Sequence, residues 1–170
     1  RTESSAASDV YKRQDVLQVE QELRDALQTA QIVPHFQPIV RLADGQVVGY
    51  ETLVRWQHPV RGLLAPGDFL PIAEQTGLIE SVDWHLYGLA CEAGAPLVCD
   101  GGFLTLNVSA RHFANGDFDR SLLALLRRTG FDPARLHIEV TESTLLGDPA
   151  AVAAIPVSYT HLTLPTTPYV

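Results

Sequence analysis

Apolar residues recur at helical spacing behind Asp15. Val16, Val19, Leu23, Ala26, Leu27 and Ala30 fall three or four apart, so residues 15–30 are expected to form an amphipathic helix with Asp15 as its N-cap. The period then changes. "IVPHFQPIV" (32–40) and "VVGYETLVRW" (47–56) read as strands, and the intervening "RLADGQ" carries an Asp44-Gly45 pair, a strong hairpin signal. The first two strands are therefore expected to be antiparallel neighbours.

Beyond the hairpin, helices and strands alternate. "GDFLPIAEQTGLI" predicts a short helix capped by Asp68, and Ser81 is expected to cap a second helix through "VDWHLYGLACEAG". "FLTLNVSA" (103–110) reads as a buried strand, "FDRSLLALLRRTG" as a helix closed by Gly130, and "RLHIEVTES" (135–143) as a further strand. "GDPAAVAAI" opens a last helix with Asp148 as cap and Pro149 at its first position, cut short at Pro156. Strands alternating with helices of this length imply βαβ units and a parallel sheet.

Outside this pattern lie the two ends. "RTESSAASDVYKRQ" and "PVSYTHLTLPTTPYV" share no hydrophobic period with what they flank and resemble translated adapter sequence, so residues 1–14 and 156–170 are read as non-native. With no Met anywhere and Arg1 in first place, the chain reads as a fragment.

Composition narrows the class. A chain of 170 residues that is 46% hydrophobic can bury the core of a globular domain. Its net charge of -8 disfavours a nucleic-acid polymer as partner, although a local basic pocket can still hold a small anion. Cys91 and Cys99 are too far apart for a CxxC motif, and no apolar run is long enough to span a membrane, which favours a soluble, reducing, cytoplasmic setting.

Candidate chemistry follows from strand parity. Gly49, Glu51, Leu53 and Arg55 share one face of their strand, while Val48, Tyr50, Thr52 and Val54 share the other. Asn107 ends the apolar run of its strand, Glu139 does the same in the next, and Glu142 follows just past it. Polar groups at the carboxyl ends of strands are where closed parallel barrels assemble active sites. Hard oxygen donors of this kind suit magnesium or manganese, whereas zinc or copper would call for His and Cys. Each residue also has a plainer reading: Glu51 on a solvated face or paired with Arg55, Asn107 as a turn former, Glu142 as a helix cap. Trp56 and Trp84 read as packing residues, and no His is assigned to metal.

The ordered set "HFQPIVRLADGQVVGYETLVRWQHPVRGLLAPGDFLPIAEQTGLI", "LTLNVSARHF" and "LHIEVTESTLL" resembles the first half of the EAL-type domains, bacterial phosphodiesterases that linearise cyclic di-guanylate. The resemblance runs from about Gln31 to Ile155. It implies the N-terminal half of a (β/α)8, TIM-like barrel that starts with an antiparallel hairpin, and it makes residues 15–30 a connector from an upstream diguanylate-cyclase-like or sensory domain. It further implies that Glu51, Asn107 and Glu139 ligate metal in a two-cation Mg2+ or Mn2+ site, that Arg55 and Gln37 bind cyclic di-guanylate, and that Glu142 steadies an active-site loop. Thr52 stands where the family name implies alanine, on the face away from the site.

The same resemblance shows what is missing. Such a barrel takes about 250 residues. The paired aspartates, lysine and later donors of the family have no counterpart here: the sequence holds no Asp-Asp pair, and Lys12 is its only lysine. The chain itself is thus expected to be an inactive fragment, prone to aggregate through uncovered strand edges, of a metal-dependent phosphodiesterase. The alternative is a degenerate relative that binds the dinucleotide as a receptor without cutting it, and a homodimer of the parent protein stays open as a further partner.

Overall fold

The computed structural model describes residues 3–109, 112 and 116–140. The chain divides into two compact units, the first from Arg1–Val33 and Val54–Leu86, the second from Pro34–Leu53 and Tyr87–Val170. Its elements are α1 (Glu3–Gln28), β1 (Ile32–Val40), β2 (Val47–His58), β3 (Gly62–Leu64), α2 (Leu70–Thr76), α3 (Ile79–Gly94), β4 (Phe103–Val108), α4 (Phe118–Thr129) and β5 (Leu136–Val140). The helix expected at 15–30 therefore starts earlier and ends sooner. It stops at Gln28 because Ala30 takes a left-handed φ of 54° and the Gln31 amide turns back to the Ala26 carbonyl at 3.3 Å, which aims the chain into β1.

In the first unit, Val19, Leu23 and Ala26 are the buried stripe of α1. They share a core with Ile32, Val54, Trp56, Phe69, Ala73, Leu78 and Val82. Burying a side chain the size of Leu23 stabilises the fold by about 1.5–3 kcal/mol. Trp56 is fully buried, meets Phe69 edge-on at 5.6 Å and satisfies its indole N–H on Gln31 Oε1 at 3.0 Å, as a packing residue must. β3, which the hydrophobic pattern does not reveal, pairs antiparallel with the end of β2 through Trp56↔Leu64 and His58↔Gly62.

Two expected caps fall elsewhere. Asp68 does not cap α2, whose N-cap is Phe69; its carboxylate instead accepts from the Ala65 amide at 2.9 Å and closes a 3-10 turn over Pro66–Asp68. Ser81 lies inside α3, which already begins at Ile79. A Ser before an apolar run is a cap only if the chain bends there, and ahead of α3 the bend is at Gly77, φ 74°.

His58 ties this unit together. Its Nδ1 accepts from the amides of Val60 at 3.1 Å and Arg61 at 3.0 Å, so the neutral ring carries its proton on Nε2 and donates it to Glu22 Oε2 at 3.3 Å. Arg61 also donates to Glu22 and lies over the Trp56 ring at 5.6 Å. Burial alone would raise the Glu22 carboxyl, but the hydrogen bonds from Gln18 and His58 and the charge of Arg61 outweigh it and hold Glu22 below its ordinary value of 4.5.

In the second unit the sheet order is β1-β2-β4-β5. The connection between β1 and β2 is closed by the Arg41 amide on the Gln46 carbonyl at 2.8 Å, and Gly45 takes the left-handed φ of 70° that the Asp-Gly signal predicts. So short a link returns the chain antiparallel. β2 and β4 are parallel, with Gly49↔Phe103 and Glu51↔Thr105, and β4 and β5 are parallel, with Thr105↔His137 and Asn107↔Glu139. Leu104, Leu106, Val108 and Ile138 form the buried face of these strands. Gly94 lets the last turn of α3 approach the sheet: a Cβ there would meet Leu104 at 3.1 Å and Phe36 at 3.4 Å. α4 buries Phe118, Leu122, Leu125 and Leu126 and ends at Gly130, φ 69°, as the pattern predicts. The expected helix at 148–155 lies outside the described residues.

Two measurements test these packing statements. A depressed carboxyl contributes stability that is present above its unfolded pKa and lost as pH falls through the folded one. Glu22→Gln is therefore expected to cost about 0.5–1.5 kcal/mol at neutral pH, and urea unfolding should show the gap closing below the ordinary value of 4.5. Burial, helped by the charge of Glu92 and only partly offset by Thr129, pushes the Cys91 thiol up to about 12, while Cys99 is exposed. A disulfide reagent should titrate one thiol in the native protein and two in denaturant.

Candidate active site

Alternation along β2 sorts its residues as parity requires. From Thr52 to His58 the even positions are buried, while Glu51, Leu53 and Arg55 are half-buried. The face that carries Glu51 continues across the second unit as Phe103, Thr105 and Asn107 of β4 and His137 and Glu139 of β5, because parallel pairing in this register puts those residues side by side.

Three of the expected site residues converge on that face. Asn107 Nδ2 donates to Glu51 Oε1 at 3.1 Å, although their positions are separated by 56 residues in the chain. The Asn107 backbone is itself held, since the buried Tyr87 donates its hydroxyl to the Asn107 carbonyl at 2.9 Å. Glu139 neighbours Asn107 in register. Burial first, and the negative charge of Glu51 second, raise the Glu139 carboxyl above its ordinary value of 4.5, with the Thr105 hydroxyl pulling the other way. Two carboxylates and an amide thus share one face, and the carboxylates oppose each other's charge.

Beneath the cluster lies an aromatic layer. Phe103 and His137 stack at 4.1 Å with their planes 17° apart. Gly49, beside Phe103 in register, leaves room for that ring; a Cβ there would come within 2.7 Å of it. Parity of "FLTLNVS" already puts Phe103 and Thr105 on the face of Asn107, so the signal for these two was available in the sequence. Tyr87 had none, since its role depends on how α3 packs.

No described hydrogen bond ties the remaining candidates to this cluster. Arg55 belongs to the first unit, where its guanidinium donates to the Val54 carbonyl at 2.8 Å. Gln37 is exposed on β1. Glu142 lies outside the described residues. Among the described residues there is no group of three or more His, Cys, Asp or Glu side chains that could hold a metal ion, so the donor set at this face is two carboxylates and one amide. No helix among the described residues is long and apolar enough to cross a membrane. A cleft of about 450 Å3 in the first unit, lined by Arg24, Ser81 and His85 among others, holds none of these groups, and its Arg24 is already paired with Glu20 at 2.8 Å.

The sequence profile of the EAL domain matches residues 20–159. The chain belongs to the EAL domain family. Among curated EAL relatives it is 40% identical over 146 residues to the bifunctional diguanylate cyclase/cyclic di-GMP phosphodiesterase MucR of Pseudomonas aeruginosa, covering 84% of this chain and 21% of that protein. It is 37% identical over 133 residues to the cyclic di-GMP phosphodiesterase NbdA of the same organism, covering 76% of this chain and 17% of that one. The solved MucR phosphodiesterase in complex with c-di-GMP superposes with a TM-score of 0.73 at 37% identity, over 81% of this chain and 57% of that chain. The chain therefore spans about a fifth of these curated relatives and a little over half of the solved EAL chain, and its fold is part of a TIM-like barrel.

The opposed carboxylates of this EAL face have a measurable consequence. A carboxyl raised in the folded state contributes stability that is complete below its unfolded pKa and lost as pH rises through the folded one. Glu139→Gln is thus expected to melt higher than the parent sequence at neutral pH, with the advantage shrinking as pH falls through the raised folded value and gone below the ordinary value of 4.5. Thermal denaturation across that range checks it.

Proposed function

We propose that this segment is the first part of a cyclic di-GMP phosphodiesterase site in which Glu51, Asn107 and Glu139 hold a divalent cation, magnesium or manganese. The carrying observation is the convergence of these donors on one face, with Asn107 bonded to Glu51 at 3.1 Å. The donor chemistry fits a hard cation: the oxygens are carboxylate and amide, and the burial and the Glu51 charge that together raise Glu139 are what a positive charge would offset. When bound, such a cation supplies Lewis acidity for attack of water on a phosphodiester.

The chain's own residues do the positioning. Glu51 and Glu139 set the negative charge, the Nδ2 bond to Glu51 leaves the Asn107 amide oxygen free to face a cation, and Tyr87 fixes the backbone from which Asn107 projects. The family resemblance assigns Arg55, whose planar fork suits phosphate oxygens, and Gln37 to the substrate, and Glu142 to a loop beside it. The relatives named for this activity support the same reading. With no Asp-Asp pair in the sequence, the site needs donors from the rest of a barrel, and the 170-residue chain by itself is proposed to be inactive.

Turnover of cyclic di-GMP to the linear dinucleotide is the test. The chain alone should give no product with Mg2+ or Mn2+. A chimera that adds the later strands of the MucR domain should give cation-dependent product, and Glu51→Gln in that chimera should lower kcat by at least about 100-fold, since changes one shell further out already cost 10–100-fold. Product that forms without a divalent cation, or undiminished in Glu51→Gln, would overturn the proposal.

A further inference from the structure

One group on this face is unaccounted for. Thr105 is only 1% exposed, and its hydroxyl oxygen is buried without a hydrogen-bond partner. Buried hydroxyls are normally satisfied, and a valine would fill the same volume with no polar atom to strand. Packing therefore does not explain a threonine here.

Register explains where the hydroxyl sits. Thr105 lies between Glu51 on one side and His137 on the other, and Asn107, two residues further along the same face, lies beside Glu139. On its lower side is the stacked Phe103–His137 layer, Phe103 being two residues back along β4. Glu51 lies directly beside Thr105 and Glu139 diagonally across, and the hydroxyl already draws the Glu139 carboxyl down without completing a well-formed hydrogen bond. A β-branched side chain is stiff at χ1, so this hydroxyl cannot swing away at little cost.

We propose that Thr105 is a positioning residue: on cation binding its hydroxyl donates to the Glu139 carboxylate and holds that group turned toward Glu51 and Asn107. This rests on the cation reading above. It adds a residue that acts through a ligand, without itself touching the cation, and it gives the stranded hydroxyl a partner in the loaded state. The balance is simple, since the hydroxyl keeps its proton and only a hydrogen bond is formed.

The test separates this role from a merely structural one. Mn2+ is titrated into the chimera that adds the later strands of the MucR domain and into its Thr105→Val and Thr105→Ser variants, with bound metal read from the loss of the free-ion EPR signal, and melting is followed without added cation. The valine variant should melt at or above the parent sequence yet bind Mn2+ about 10-fold more weakly, the size of loss typical when an outer-shell partner of a ligand is removed. Serine, which keeps the hydroxyl, should restore affinity to within about twofold of the parent on the same principle. Valine binding as tightly as threonine, or serine failing as valine does, would overturn the role of Thr105 while leaving the cation site standing. No Mn2+ binding by the well-folded chimera would instead overturn the cation reading and this inference with it. Should the valine variant not fold, Thr105→Ala carries the same comparison.

Discussion

The parallel register of β2, β4 and β5 is the constraint on which the candidate site depends. With Glu51 beside Thr105 and Asn107 beside Glu139, residues far apart in sequence project from one face. A slip of one residue would reverse every side chain, sending the carboxylates into the apolar side and Leu104 and Leu106 out of it. The buried face therefore enforces the polar one. Leu104, Leu106, Val108 and Ile138 hold the register because their burial is lost in any other.

That constraint also explains why unfavourable chemistry persists. Glu51 and Glu139 are brought together by strands that have other reasons to pair, so the fold absorbs their repulsion. Supporting groups reduce it locally: Asn107 donates to Glu51, and Tyr87 fixes the Asn107 backbone from behind. Gly49 and the Phe103–His137 stack close the layer below. The arrangement costs stability, and the cation proposed above would offset that cost.

Much of this was legible in sequence because it depends on parity. The period of two in "VVGYETLVRW" and "FLTLNVSA" assigns Glu51 and Asn107 to their faces with no knowledge of tertiary structure, and the Asp44-Gly45 and Gly130 signals locate a hairpin and a helix end for stereochemical reasons. What was not legible depends on packing or competition. Asp68 and Ser81 look like caps, but Asp68 closes a 3-10 turn ahead of α2, and the chain turns at Gly77, so Ser81 continues a helix already begun. β3 is too short to show a period and forms because it extends a pairing with β2. Thr105 has the right parity yet reads as an ordinary strand former, and its burial without a partner, shared with Thr52, gains weight only from its place beside Glu51.

Two glutamates make the contrast between structural and functional charge concrete. Glu22 is surrounded by donors, His58, Arg61 and Gln18, and its proton affinity falls; it joins α1 to the turn after β2 and behaves as a stabilising ion pair does. Glu139 is buried against another carboxylate, and its proton affinity rises. Were both simply solvated acids, neither would shift; were both structural, each would be matched by a cation from the protein. The unmatched one lies on the face where Asn107 and Glu51 already meet, and perturbed groups of this kind gather where a ligand is meant to complete the charge. The divalent cation proposed above would supply the positive charge that this pair of carboxylates favours.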